Sequence, residues 1–118
     1  VFIHAPFAPK FPHQVDIICR KPRPTLCELT SEERRVIGES MLGVFHMLYN
    51  QAGVTDLNVI THQSRFSTDM SSGYRLHWHI TPRNLSALGG IEINLNDFVV
   101  TVFPEDTASL LRMHYSTK

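Results

Sequence analysis

The sequence predicts an α+β domain: an antiparallel sheet covered by one long helix, with a short helix near the C-terminal end. Three features carry that prediction. Short β-branched and apolar runs broken by prolines occupy the first 20 residues, an apolar stripe at helical spacing follows, and a later run alternates histidine with large apolar side chains.

Val1–Ala5 and Val15–Arg20 read as two strands joined by a loop stiffened by Pro6, Pro9 and Pro12. Lys21-Pro22-Arg23-Pro24 then keeps the backbone extended, because a residue before proline is pushed out of the helical region. Thr30 and Glu33 have the spacing of a capping box, in which hydroxyl and carboxylate satisfy backbone N–H groups at a helix start. Behind them Val36, Ile37, Met41, Val44, Phe45, Leu48 and Tyr49 recur every three or four residues, giving one helix from Ser31 to Gln51 with Gly53 as its stop. Leu57–His62 is the third strand and Tyr74–Thr81 the fourth, joined by the polar loop Gln63–Gly73. Asn84–Gly90 is a further loop, and Ile91–Val102 holds strand-like runs interrupted by Asn94, Asn96 and Asp97. Pro104 at a first helical position, followed by Glu105 and Asp106 near the positive end of the dipole, opens a terminal helix through Met113.

The chain's 118 residues suit a single domain, 1–118, with no repeat, linker or low-complexity tract. Eleven Lys+Arg balance eleven Asp+Glu, so the basic surplus that coats nucleic acid is missing. No apolar run is long enough to span a bilayer, and no signal peptide opens the chain. Cys19 and Cys27 are too few for a disulfide scaffold and read as buried, reduced thiols of a cytoplasmic protein. Val1 in place of Met points to a processed chain or an excised piece.

Histidine carries the chemistry. In Arg75-Leu76-His77-Trp78-His79-Ile80-Thr81-Pro82 the period of two puts His77 and His79 on one face and Leu76, Trp78 and Ile80 on the other. An antiparallel return from the preceding strand brings His62 beside that pair. Three imidazoles around one point suit a first-row metal, zinc or iron, with a fourth ligand from water, substrate or a carboxylate elsewhere. The bland alternative is that a lone His-x-His is a chance surface pair, with Trp78 as core. His4, His13, His46 and His114 follow no pattern and are assigned to structure or surface, and Glu32–Arg35 to a solvated helix face. The sequence has no Walker loop, GxGxxG, GxSxG or HExxH.

Together these residues resemble the histidine-triad superfamily, and within it the second repeat of the galactose-1-phosphate uridylyltransferases. The resemblance runs through Phe7–Pro12 into Val15–Cys19, Leu29–Glu33, Thr61-His62-Gln63, Leu76–Pro82, Gly89-Gly90-Ile91-Glu92, Phe103–Asp106 and Leu110-Leu111-Arg112. It implies a metal site at His62, His77 and His79, completed by a glutamate from a first repeat. It also implies substrate contacts at Gln63 and at Glu92, the latter matching a carboxylate that holds sugar hydroxyls across the subunit boundary of a homodimer. The family's uridylylated histidine lies in a His-Pro-His-x-Gln motif of the first repeat, and that motif is not in this chain.

The small histidine-triad hydrolases offer a second mapping. Aligning their His-x-His-x-His-x-x-Pro on Pro82 puts Arg75, His77 and His79 on the three histidines and makes His77 the nucleophile. Arg75 in place of the first histidine removes a member of that constellation. The expectation is therefore a metal-binding, uridylyltransferase-like domain that contacts a nucleotide sugar or sugar phosphate. The alternatives are a stand-alone nucleoside-phosphate hydrolase or phosphorylase using His77, and a non-enzymatic nucleotide- or metal-binding module.

Overall fold

The computed structural model describes residues 1–65, 73–84 and 89–116. Four strands, β1 (Phe2–His4), β2 (Val15–Ile18), β3 (Leu57–His62) and β4 (His77–Pro82), form one antiparallel sheet in the order β1-β2-β4-β3. Helix α1 (Ser31–Ala52) connects β2 to β3, and α2 (Gly90–Leu95) and α3 (Pro104–Ser116) follow β4. The predicted α+β architecture is the observed one.

The predicted capping box is present: Glu33 N–H donates to Thr30 Oγ1 at 3.1 Å, and Thr30 N–H donates to Glu33 Oε2 at 2.9 Å. Gly53 ends α1 in the left-handed region at φ 68°, its N–H donating to Leu48 O. Ile37, Val44, Met47 and Leu48 on α1 pack over Val15 and Ile17 of β2, Trp78 and Ile80 of β4, and Leu76 just before β4. These side chains occupy one face of the sheet because register partners share a face: Val15 pairs with Ile80 and Ile17 with Trp78. Burying such a set supplies the main drive to fold, at about 25 cal/mol per Å² of apolar surface. Helix α3 closes against α1, with Leu111 in the same core.

Several expectations need correction. Tyr49, read as part of the apolar stripe, is 65% exposed, and Met47 takes a core place beside Leu48 instead. Cys19 is buried as expected, but Cys27 is exposed on the single turn Leu26–Glu28. The fourth strand begins at His77, not Tyr74, although the preceding backbone is already bonded to the Pro22–Pro24 segment: Leu76 N–H donates to Arg23 O at 2.8 Å and Arg23 N–H to Tyr74 O at 3.1 Å.

The largest departure is α2, a helix where strand-like runs were expected. Ile91, Ile93 and Leu95 alternate in sequence but are all exposed, at 52%, 71% and 72%, so their spacing does not record one buried sheet face. Local bonds decide the conformation. Gly89 N–H donates to Glu92 Oε2 at 2.9 Å, Asn94 Nδ2 donates to Gly90 O at 2.7 Å, and Asn96 ends the turn at φ 52°. The terminal helix runs on to Ser116. Most of the Gln63–Gly73 and Asn84–Gly90 loops lies outside the described residues.

Candidate metal centre

The sheet's second face carries the polar cluster. Residues alternate in β4, so His77, His79 and Thr81 point away from α1 while Trp78 and Ile80 point toward it. His62 is the register partner of His77 across the β3–β4 hairpin, and His79 lies opposite Ile60 on β3 and Asp16 on β2. Pairing of β3 and β4 therefore draws the three histidines together.

The His62 and His77 rings stack 3° from parallel with centroids 4.9 Å apart. His79 meets both edge-on, at 4.7 Å from His62 and 5.4 Å from His77. One nitrogen from each ring lies within 4.8 Å of the other two. Bonds of 2.0–2.1 Å to a tetrahedral ion would put such nitrogens about 3.4 Å apart, so uptake requires side-chain rotation that draws the rings inward. His62 is exposed, and His77 and His79 are half-buried, which leaves the centre open to ions and further ligands.

Two of the three rings are tied down through Nδ1. His77 Nδ1 lies 2.8 Å from Arg75 O, and His79 Nδ1 lies 2.7 Å from Asp16 Oδ1. Loss of water around the His62 ring lowers its pKa, as do the His79 and His77 imidazoles; Asp16 pulls the other way. A neutral imidazole is the form that binds a metal, so the donor set fits a transition ion. Arg75 does not join the cluster; its Nη1 donates to Cys19 O at 3.4 Å.

Asp16 has no place in the sequence-based site, yet it is a buried carboxylate beside His79, 7% exposed. Its only sequence signal is an acid inside the apolar run Val15-Asp16-Ile17-Ile18, and alternation alone does not say what it faces. A cavity of about 550 Å³ adjoins it, lined in part by Lys10, Phe11, Gln14, Ile60 and Phe98, with His62 and His79 at its wall.

The two expected substrate contacts, Glu92 and Gln63, accept hydrogen bonds from backbone N–H groups. Glu92 accepts from Gly89 N–H and, at 3.4 Å, from Val99 N–H. Backbone N–H groups, its own first and then those of Gly89 and Val99, lower the pKa of its carboxyl. Gln63 Oε1 accepts from Leu26 N–H at 3.4 Å.

No protein-family model matches this chain, and no curated protein matches it. Solved structures do. An ADP-glucose phosphorylase from Arabidopsis thaliana, solved with bound ADP-glucose, superposes with a TM-score of 0.81 at 26% identity over 93% of this chain and 36% of its own. A uridylyltransferase superposes with a TM-score of 0.82 at 26% identity, over 98% of this chain and 38% of its own. A Hit-like protein involved in cell-cycle regulation from Bartonella henselae shares the fold, with a TM-score of 0.62 at 20% identity over 95% of this chain and 78% of its own. The chain thus has a histidine-triad-like fold and spans under two fifths of the length of the first two relatives, as one repeat of such an enzyme would.

Proposed function

We propose that residues 1–118 are a metal-binding, histidine-triad-like domain of a nucleotidyltransferase, equivalent to the second repeat of a hexose-1-phosphate uridylyltransferase-like enzyme. His62, His77 and His79 hold the ion, zinc or iron. The observation that carries this reading is the convergence of three ring nitrogens within 4.8 Å on adjacent strands of this fold. A bound ion supplies fixed positive charge at the sheet surface and cross-links β3 to β4. Three imidazoles leave the shell incomplete, and a carboxylate from another segment of the protein completes it.

The ligand class is a nucleotide sugar or sugar phosphate, which is supported by the similarity to a relative solved with ADP-glucose. Glu92 and Gln63 are the residues we assign to sugar contact, in a homodimer that brings Glu92 to the partner's site. The attacking histidine comes from a first repeat. Metal analysis of purified protein tests the proposal: about one equivalent of a transition metal is expected, lost in His77→Ala. Native protein purified and refilled with zinc or iron that still holds none defeats it.

One observation favours a second reading. The bond between His77 Nδ1 and Arg75 O leaves Nε2 as the reactive nitrogen, as a nucleophilic imidazole requires. That reading predicts chelator-insensitive turnover of a nucleoside phosphoramidate by this chain alone, and absence of turnover removes it.

A further inference from the structure

We infer that Asp16 is a positioning residue: its carboxylate fixes His79 as the Nδ1–H tautomer, which leaves Nε2 to face the centre shared with His62 and His77. The inference rests on the metal-binding reading above for its consequence, though not for its geometry. An ionised carboxylate accepts hydrogen bonds and donates none. With Oδ1 2.7 Å from His79 Nδ1, the proton between them belongs to the ring. The lone pair of a neutral His79 is then on Nε2.

The carboxylate is itself held from behind. Gln14 Nε2 donates to Asp16 Oδ1 at 3.2 Å, and Lys10 N–H donates to Gln14 Oε1 at 3.0 Å. Gln14 and Asp16 are both nearly buried, at 9% and 7% exposure. A chain of three hydrogen bonds thus runs from the β1–β2 connection through β2 to the ring on β4. Such a chain removes rotational freedom from both side chains and makes the imidazole a stronger electron donor.

Sheet packing does not call for an acid at this position. Val15, Ile17 and Ile18 around it are apolar, and burying a carboxylate costs free energy unless a partner compensates. Among the described residues His79 is the one ion-pair partner of Asp16. His77 achieves the same orientation with the backbone oxygen of Arg75, so two rings of the cluster present Nε2 by independent means.

Ring-nitrogen NMR of the metal-free, nitrogen-labelled chain, together with zinc titration calorimetry, tests this. In the wild type, His79 is expected to carry its proton on Nδ1. Asp16→Ala is expected to lose that single tautomer and to bind zinc about 10- to 100-fold more weakly. Asp16→Asn, whose carboxamide oxygen still accepts, keeps the tautomer and recovers part of the affinity, and it serves in place of Asp16→Ala should the alanine variant fail to fold. A His79 proton on Nε2 in the wild type overturns the inference, and so does zinc affinity in a folded Asp16→Ala equal to wild type. A wild type that binds no zinc defeats the metal reading instead, while the nitrogen spectra still decide the role of Asp16.

Discussion

His62 and His77 are cross-strand register partners whose imidazole planes lie 3° from parallel. Stacked so closely, two imidazolium ions would repel, and two neutral rings would not. A metal ion binds only neutral imidazoles, through the in-plane lone pair of a ring nitrogen, so its uptake excludes the doubly charged state and joins the strands. Ligands that bind only the folded chain raise its stability by mass action, about 2.7 kcal/mol at a hundredfold excess over Kd. Zinc is therefore expected to raise the thermal midpoint of the wild type and chelation to reverse the rise. His62→Ala, His77→Ala and His79→Ala should each lose most of it, whereas His46→Ala, exposed on α1, should keep it. Scanning fluorimetry with and without zinc reads the difference, and equal shifts in all four variants would show that the ion binds elsewhere.

Glu33 gives the clearest dependence on pH. Its carboxylate accepts from Arg23 Nε at 3.0 Å and from Thr30 N–H at 2.9 Å. These bonds, Arg23 first, hold its pKa down to about 2 from an ordinary 4.5. The unfolded chain takes up this proton first as pH falls, so the group stabilises the fold fully above about 4.5 and loses that contribution as pH drops toward 2. Glu33→Gln is expected to melt below wild type at neutral pH, with the gap closing through that acid window. Thermal midpoints measured across the window check it; a gap that widens on acidification contradicts the sign.

His13 reports the same linkage nearer neutrality. Burial lowers its pKa, and Asp106 opposes this, while its Nδ1 lies 3.1 Å from Thr107 Oγ1. Because the folded ring resists protonation, acidification below the ordinary histidine value of 6.5 destabilises the fold through this group. His13→Gln should flatten that part of the stability profile measured by urea unfolding. An unchanged slope would show that other groups govern the region.

Much of the fold and of the histidine cluster is legible in the sequence because the signals are local or periodic. Thr30, Glu33 and Gly53 mark α1 through bonds made within a few residues, and alternation in Leu76–Ile80 separates the histidine face from the core face. Asp16 is not legible. Its meaning depends on β2 pairing with β4, a contact between positions 63 residues apart that periodicity cannot specify. The helix at Gly90–Leu95 is hidden by the converse effect, since the alternation of Ile91, Ile93 and Leu95 resembles a strand pattern while capping by Glu92 sets the backbone. Phe98, far along the chain from Phe11, reaches the cavity wall beside it with ring centroids 4.9 Å apart, and no local rule links those positions.

Ile80 tests the core beneath the cluster. It is fully buried on the α1 face of β4, one residue from His79. Ile80→Ala removes three buried carbons and leaves a void, a change that costs about 2–5 kcal/mol depending on how far neighbours relax. Denaturant unfolding should show a lower midpoint with an unchanged slope. If zinc affinity at a temperature where the variant is folded stays within a few-fold of wild type, strand β4 holds its histidines by backbone pairing. A collapse of affinity would instead show that core packing sets the ring positions.

Gly53 isolates a purely conformational term. It sits at φ 68°, where a side chain is strained, yet a Cβ built there meets nothing within 4 Å. No steric clash or lost contact therefore enters the comparison. Gly53→Ala should destabilise the chain by about 1 kcal/mol, the cost of holding a non-glycine residue in the left-handed region. Gly53→Asn should cost less, because asparagine tolerates that conformation through local hydrogen bonds. The position lies at the junction of α1 and the lead into β3, and Gly53 O accepts from Asn84 Nδ2 at 3.1 Å. Asn84 in turn accepts from the Thr55 and Asp56 N–H groups. Since neither substitution removes the Gly53 carbonyl, both variants should keep this clasp and the register of β3 with β4. Zinc affinity should then stay at the wild-type value while denaturant midpoints fall in the order glycine, asparagine, alanine. An alanine variant as stable as wild type would show that α1 ends without the left-handed turn.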